Sequence, residues 1–295
     1  MKILVLGATG TVGSHVVREL QARQQTVRVL TRDPGKARPL GPHVETVKGD
    51  LLDPATLRTL YEGVDGAFLL NPVSQTEATE GLMAVSAAMN SGLKRLVYMS
   101  VQHADRAPHL PHFGGKLGIE AAVKASGLAW TILRPSNFFQ NDLWLRDAIL
   151  KYNVYPQPLG DVGVSRVDTR DIAELAAIAL TQAGHEGKTY DVVGPRALTG
   201  AQVAGIWSTA LGKPVAYAGN DLEAWEKQSL QYFPPWMVYD FKLMYRHFQQ
   251  HGLRGSDADV ATLTRALGRA PRRFEDFATE TARSWAGEGA TVTRS

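Results

Sequence analysis

The sequence predicts an α/β fold of the doubly wound kind, a parallel sheet with helices on both faces. Three observations predict it. Short β-branched and aliphatic runs recur along the first half, each followed by a stretch with helical spacing. The first of these runs, KILVLG, enters a glycine-rich turn and then a helix without any intervening loop. The 295-residue chain is 44% apolar and 21% charged, an ordinary globular composition with enough apolar side chains for a large core.

Taken in order, KILVLG reads as a fully buried strand, because it is apolar without alternation. TVGSHVVRELQARQ follows, with Val12, Val16, Val17 and Leu20 on one helical face. TVRVL, VETVKGD, GAFLL, RLVYMS and AWTILRP are further strands, separated by helical stretches such as TEGLMAVSAAMNSG. This rhythm means parallel strands joined by crossovers. PHFGGKLGIE starts a helix at a proline. Beyond Pro135 the rhythm loosens. VDTRDIAELAAIALTQ is a helix, with Asp171 and Glu174 as its capping box. GKTYDVVG is another strand and LTGAQVAGIWSTALG another helix. Eight aromatics fall between Trp225 and Phe248, and Tyr232-Phe233-Pro234-Pro235 interrupts any helix there. The reading is a dinucleotide-binding core over 1–150, shared with parts of 162–195, a smaller substrate-binding portion over 196–285, and a flexible tail over 286–295.

Composition removes several classes of function. Cysteine is absent, which excludes disulfides and thiolate chemistry and suits a reducing cytoplasm. The formal charge is only +3, with Lys and Arg scattered, so no nucleic-acid surface is expected. No apolar run approaches the roughly 20 residues that span a bilayer, and no signal-peptide pattern precedes the first strand. A soluble cytoplasmic protein, monomeric or homodimeric, is expected. The histidines lack a ligand grouping, so no metal is expected, and no G-x-S-x-G elbow points to hydrolysis.

GATGTVG places Gly7, Gly10 and Gly13 between a strand and a helix, with Thr9, Thr11 and Val12 among them. Glycines here permit a tight turn and close approach of backbone to a pyrophosphate, which the helix N-terminus then receives. The spacing is G-x-x-G-x-x-G, so the signal lies in the strand–turn–helix context. The end of the second strand selects the dinucleotide. An NAD site wants an acid there, but VLTRDPGKA offers Arg32, whose guanidinium matches a 2′-phosphate, with Lys36 to assist. Asp33, before a proline, reads as a turn former. NADP(H) is the expected cofactor, with NAD(H) the alternative.

With GATGTVG, TRDPGKA, GDLLD, LVYMSV, HFGGK, LRPSNFFQN, VDTRDIAE and YDVVGPRALTGAQVA in order, the chain resembles the NmrA-like family, an atypical branch of the short-chain dehydrogenase/reductases. The resemblance covers nearly the whole chain. It implies a Rossmann-type fold and either an NAD(P)H-dependent reductase of quinones, azo compounds or dyes, or a redox sensor that binds the dinucleotide without turnover. It further implies that Gly49, Asp50 and Leu51 flank the adenine, and that Leu70, Asn71 and Pro72 line the ribose and nicotinamide side. Pro135, Ser136, Asn137 and Phe138 would approach the carboxamide by backbone.

The wider superfamily uses Tyr-x-x-x-Lys, the tyrosine as proton donor and the lysine on the ribose hydroxyls. Here the lysine aligns as Lys116 and the tyrosine position is His112. Lys116 is expected to anchor the nicotinamide ribose. His112 is either a proton donor, since imidazole titrates near neutrality, or a structural residue at a helix start. Ser100, at the end of LVYMS, is either near the substrate carbonyl or a turn residue. Quinones and azo bonds accept hydride without strong acid help, so the missing phenol does not exclude reduction. Phe138, Tyr232, Phe233 and Trp236 are candidates for lining a slot for a planar aromatic substrate; a core role or a dimer contact is the alternative for the aromatic stretch.

Overall fold

The computed structural model describes residues 1–292. Its elements are β1 (Lys2–Val5), α1 (Thr11–Ala22), β2 (Thr26–Thr31), β3 (Val44–Lys48), α2 (Pro54–Leu60), β4 (Gly66–Leu69), α3 (Glu77–Met89), β5 (Arg95–Met99), α4 (Pro111–Ala125) and β6 (Ala129–Pro135). After these come α5 (Arg146–Lys151), β7 (Val154–Tyr155), α6 (Thr169–Thr181), β8 (Lys188–Val192), α7 (Gly200–Leu211), β9 (Ala216–Tyr217), α8 (Leu222–Ser229), α9 (Pro235–His251), α10 (Asp257–Leu267) and α11 (Phe274–Val292). The chain divides into two compact units.

The first unit comprises Met1–Pro135, Thr169–Val192 and Arg265–Gly268. Its seven strands run in the order β3-β2-β1-β4-β5-β6-β8, every neighbouring pair parallel. This is the Rossmann-type doubly wound sheet, and all seven strands expected from the sequence pair in it. The order reverses between β1 and β4, which opens a crevice at the carboxyl ends of those strands. β1 and β4 lie mid-sheet and are apolar on both faces, whereas β3 at the edge is largely exposed. One core layer packs Leu4, Leu69, Leu96 and Ile132 of the sheet against Ala84, Val85, Ile119 and Val123 of α3 and α4. On α3, Gly81 lets the two helices close up, since a Cβ there would lie 2.3 Å from Ile119 Cδ1.

One helix start differs from the sequence reading. α6 begins at Thr169, so Asp168 holds the position ahead of it and Asp171 lies inside its first turn, not at the cap. Two consecutive acid-bearing candidates, VDT and TRD, make the cap ambiguous in sequence. Asp171 still favours the helix from there, because its charge opposes the positive end of the dipole.

The second unit comprises Ser136–Asp168, Val193–Thr264 and the chain from Arg269 onward. β7 and β9 form a short parallel pair. α7 starts with a capping box, Thr199 Oγ1 accepting from Gln202 N–H at 3.2 Å and Gln202 Oε1 accepting from Thr199 N–H at 2.9 Å. α7 and α11 pack through Trp207 and Trp285, stacked at 5.0 Å between centroids. Phe139, Phe274 and Phe277 extend that cluster. The aromatic stretch divides. Tyr245 and Phe248 are buried, with Trp225 edge-on to Tyr245 at 5.0 Å, and these are core. Tyr232 is 74% exposed and Phe233 41%, in the break between α8 and α9 that the prolines impose. α11 continues as helix to Val292, and the end of the tail expected from 286 lies outside the described residues. No helix among the described residues is long and apolar enough to cross a membrane.

Candidate active site

The loop from β1 to α1 is built by three glycines with separate tasks. Gly7 has φ +71°, a left-handed conformation, and a Cβ on it would lie 2.9 Å from Leu70. Gly13, in the first turn of α1, sits directly over the loop, where a Cβ would lie 2.2 Å from Gly7 O. Gly10 donates to Gly7 O at 3.0 Å and caps the helix with no side-chain hydrogen bond. Thr9, Gly10 and Thr11 are exposed, Val12 and Gly13 are buried, and no acid stands in the first turn. The result is a helix N-terminus whose free N–H groups and positive dipole are open to an anion.

At the end of β2, Thr31 Oγ1 donates to Asp33 O and accepts from Asp33 N–H, and Asp33 Oδ1 accepts from Gly35 N–H at 2.9 Å. The Asp33 carboxylate is therefore engaged in capping its own turn, as its place before proline suggests. Arg32 and Lys36 are exposed and form no ion pair among the described residues. At the end of β3, Asp50 Oδ1 accepts from Leu52 N–H at 2.9 Å, a turn contact, and Leu51 is buried. Gly49 sits against Thr56, where a Cβ would lie 2.5 Å from that side chain.

Past β4, Leu70 is half-buried, Pro72 is exposed, and Asn71 is 2% exposed with neither side-chain oxygen nor nitrogen bonded. Orphaned buried amides are rare and call for a partner. Ser100 and Gln102, after β5, are likewise buried with side-chain polar atoms lacking a well-formed hydrogen bond. An uncapped helix start, two cations outside any ion pair among the described residues, and the unpartnered Asn71 and Gln102 amides suit a pyridine dinucleotide, which carries phosphates, hydroxyls and a carboxamide.

His112 and Lys116 occupy successive turns at the start of α4. His112 is half-buried, its ring edge-on to Phe113 at 4.7 Å. Lys116 is buried and donates to Glu77 Oε1 at 2.5 Å, an ion pair that sequence reading missed. One N–H of three is spent on Glu77, and the others make no hydrogen bond among the described residues. Tyr98, on the neighbouring strand, is fully buried with its hydroxyl unpartnered. Burial pushes this phenol well above its ordinary value, and the Glu77 and Glu120 charges push the same way. It is thus no substitute for the acidic phenol that His112 displaces. Burial opposes ionisation of Glu120, but Arg134, at 2.8 Å through two bonds, outweighs it, with Ser100 and Lys124 assisting, and the carboxyl stays below its usual range. Ser100 therefore faces a structural carboxylate, although its own hydroxyl makes no well-formed bond.

After β6, the carbonyls expected to face a carboxamide are largely taken. Pro135 O accepts from Gln102 N–H, and Asn137 O from Val167 N–H, both at 2.9 Å. Phe138 O accepts from Arg166 Nη2 at 2.7 Å. Ser136 is buried with its hydroxyl unpartnered. In the second unit Phe138 and Trp236 are half-buried and Tyr232 and Phe233 are exposed; Tyr232, Phe233 and Trp236 are neighbours in sequence, and Phe138 lies far from them along the chain.

A test of the Lys116–Glu77 pair follows from its burial. Lys116→Met leaves Glu77 without that cation and should cost about 3–5 kcal/mol of stability. The Lys116→Met/Glu77→Gln double variant should recover most of that loss in urea unfolding, yet still bind dinucleotide poorly. Full dinucleotide affinity in the double variant would remove Lys116 from the site.

Residues 1–278 match the model of the NmrA-like family. An NAD(P)H azoreductase of Xenophilus azovorans is 38% identical over 281 residues, 94% of this chain and 96% of that one. A (4-alkanoyl-5-oxo-2,5-dihydrofuran-3-yl)methyl phosphate reductase of Streptomyces griseus is 34% identical over 287 residues, 97% of this chain and all of its own. Among solved structures, an NADPH-dependent quinone oxidoreductase of Escherichia coli complexed with NADPH superposes with a TM-score of 0.85 at 26% identity, covering 95% of this chain and 99% of that one. Full-length matches of this kind, on a glycine turn and strand-end loops of this geometry, mean that the chain belongs to the NmrA-like family.

Proposed function

We propose that the chain is an NADPH-dependent reductase that delivers hydride to an electrophilic aromatic acceptor such as a quinone or azo compound. The observation that carries the cofactor preference is the end of β2, where the Asp33 carboxylate is engaged in its own turn while Arg32 and Lys36 stand exposed. A guanidinium in that place grips a 2′-phosphate through paired charge-assisted bonds. The uncapped start of α1 receives the pyrophosphate. Lys116, steadied by Glu77, offers its remaining N–H groups to ribose hydroxyls. The relatives named as azoreductase and quinone oxidoreductase support this acceptor class.

The chemistry asked of the protein is positional. A bound reduced nicotinamide supplies the hydride, and a proton taken from water completes conversion of a quinone to its hydroquinone. The chain's own groups hold the reacting atoms close, an effect with an upper range of many powers of ten in rate. No acidic phenol stands beside Lys116, which favours acceptors that take hydride without a strong proton donor. Phe138, Tyr232, Phe233 and Trp236 are the side chains proposed to receive the planar acceptor. His112 is the group proposed to relay that proton from water; for His112→Phe, an unaltered pH–rate profile would dismiss it.

The experiment is direct. Purified protein mixed with NADPH and a panel of quinones and azo dyes should consume reduced nicotinamide well above background. Arg32→Glu should weaken NADPH by at least about 10-fold, the loss of one charge-assisted contact, with much less effect on NADH. Equal weakening of both would contradict the 2′-phosphate role. Tight NADPH binding without oxidation of any acceptor would instead favour a redox-sensing binding protein.

A further inference from the structure

Arg166 is buried completely, and each of its five N–H groups has an acceptor. Nη1 donates to Asp142 Oδ2 at 3.1 Å and Tyr155 Oη at 3.3 Å. Nη2 donates to Asp142 Oδ1 and to Phe138 O, both at 2.7 Å. Nε donates to Asn137 Oδ1 at 3.0 Å. Phe274 lies under the guanidinium at 4.8 Å, and Trp207 Nε1 donates to Asp142 Oδ2 at 2.9 Å, so the pair is fixed from several sides. A guanidinium can only donate. The Asn137 amide must therefore present its oxygen to Arg166, which leaves Nδ2 directed elsewhere. Asn137 is half-buried, and its Nδ2 makes no hydrogen bond among the described residues.

We propose that Asn137 Nδ2–H is a hydrogen-bond donor to a carbonyl oxygen of the acceptor substrate, with Arg166 as the residue that orients it. The proposal rests on the reductase reading above. Asn137 follows β6 in the chain by two residues. Quinones present lone pairs and no N–H groups, so a site for them needs donors. Among the backbone donors of this loop, Phe139 N–H is already given to Val167 O at 2.9 Å, and carbonyl groups cannot serve a quinone oxygen. As hydride adds to the ring, negative charge grows on the carbonyl oxygen, and a fixed donor at that oxygen is worth more there than in the ground state. Arg166 lets the amide serve without reorganisation, since its rotation would break the Nε bond.

Asn137→Asp tests this cleanly, because a carboxylate still accepts from Arg166 Nε but has no N–H to give. The probe is menadione, titrated into the NADP⁺-loaded protein by tryptophan fluorescence, where no hydride is available. The variant should keep the wild-type thermal midpoint and NADP⁺ affinity while its menadione dissociation constant rises about 10-fold. With NADPH, kcat/KM for menadione should fall about 10-fold or more. Arg166→Lys cannot hold Asp142 and Asn137 together and should carry the same loss of menadione affinity in its folded fraction; full affinity would remove Arg166 from the arrangement. Wild-type protein that binds menadione without oxidising NADPH would sink the reductase reading, while a weakened variant would still support the donor. Unchanged affinity and kcat/KM in Asn137→Asp, a loss confined to NADP⁺, or a wild type that binds no menadione would each overturn the proposal.

Discussion

Asp142→Ala should destabilise the folded chain by about 3–5 kcal/mol, because it strands the Arg166 charge in a dry interior. Both side chains of this pair have no exposed surface. Asp142 accepts two N–H bonds from Arg166, one from the Trp207 indole and one from the Tyr155 hydroxyl. Removing it orphans four donors at once, and no solvent replaces the lost carboxylate. Asp142→Asn should cost less, since the amide oxygen still accepts while the charge is lost. Chemical denaturation followed by tryptophan fluorescence reads both effects. The Asp142→Ala/Arg166→Met double variant supplies the control: it should be more stable than Asp142→Ala alone, because the unpaired charge is gone. If the single and double variants unfold at the same denaturant concentration, the damage is a packing defect and the charge argument fails.

Gly13→Ala should raise the NADPH dissociation constant by about 10-fold or more, the cost expected from forcing a methyl group into packed backbone. The new Cβ would meet Gly7 O at 2.2 Å and the Ala8 Cα at 2.7 Å, and neither is the end of a flexible side chain. The helix must back away, and its N–H groups then leave the position where a pyrophosphate is received. Gly10→Ala is the informative contrast. Its Cβ would stand 3.4 Å from Gly7 O with nothing else close, so the fold should tolerate it. NADPH affinity should fall all the same, because the methyl group occupies the open mouth of the turn. Calorimetry and thermal melts on both variants separate the cases. Gly10→Ala with undiminished NADPH affinity would show that phosphate does not approach over that glycine.

The parts of this molecule legible in sequence are those that neighbouring residues decide. β1, β4 and β6 are short apolar runs, and their periodicity identifies them without reference to the rest of the chain. The strand–glycine–helix order at Gly7 to Gly13 announces its turn because backbone geometry itself demands glycine there. Asp33 could be recognised as a turn former from the proline that follows it. What the sequence concealed are pairings between distant buried charges. Lys116 and Glu77 are 39 positions apart, and Arg166 and Asp142 are 24 apart. No periodic pattern marks a charged residue as buried, since the same letters usually lie in water. The family resemblance implies that Pro135 to Phe138 approach a ligand by backbone, yet the carbonyls of Pro135, Asn137 and Phe138 bind the protein itself. The aromatic stretch misled in a different way, because helix spacing alone could not separate buried Tyr245 and Phe248 from exposed Tyr232.

The self-closed turn of Asp33 also governs how this chain could be re-engineered to accept the unphosphorylated cofactor. Deleting the Arg32 cation would remove the grip on the larger nucleotide without creating any for the smaller one, because the adjacent carboxylate is held by Gly35 N–H and the Asp33 backbone by the Thr31 hydroxyl. A productive redesign has to remodel the whole segment from Thr31 to Lys36, freeing an acid to reach the sugar. Specificity at this strand end is in that sense a property of loop shape, and swapping one letter only subtracts from it.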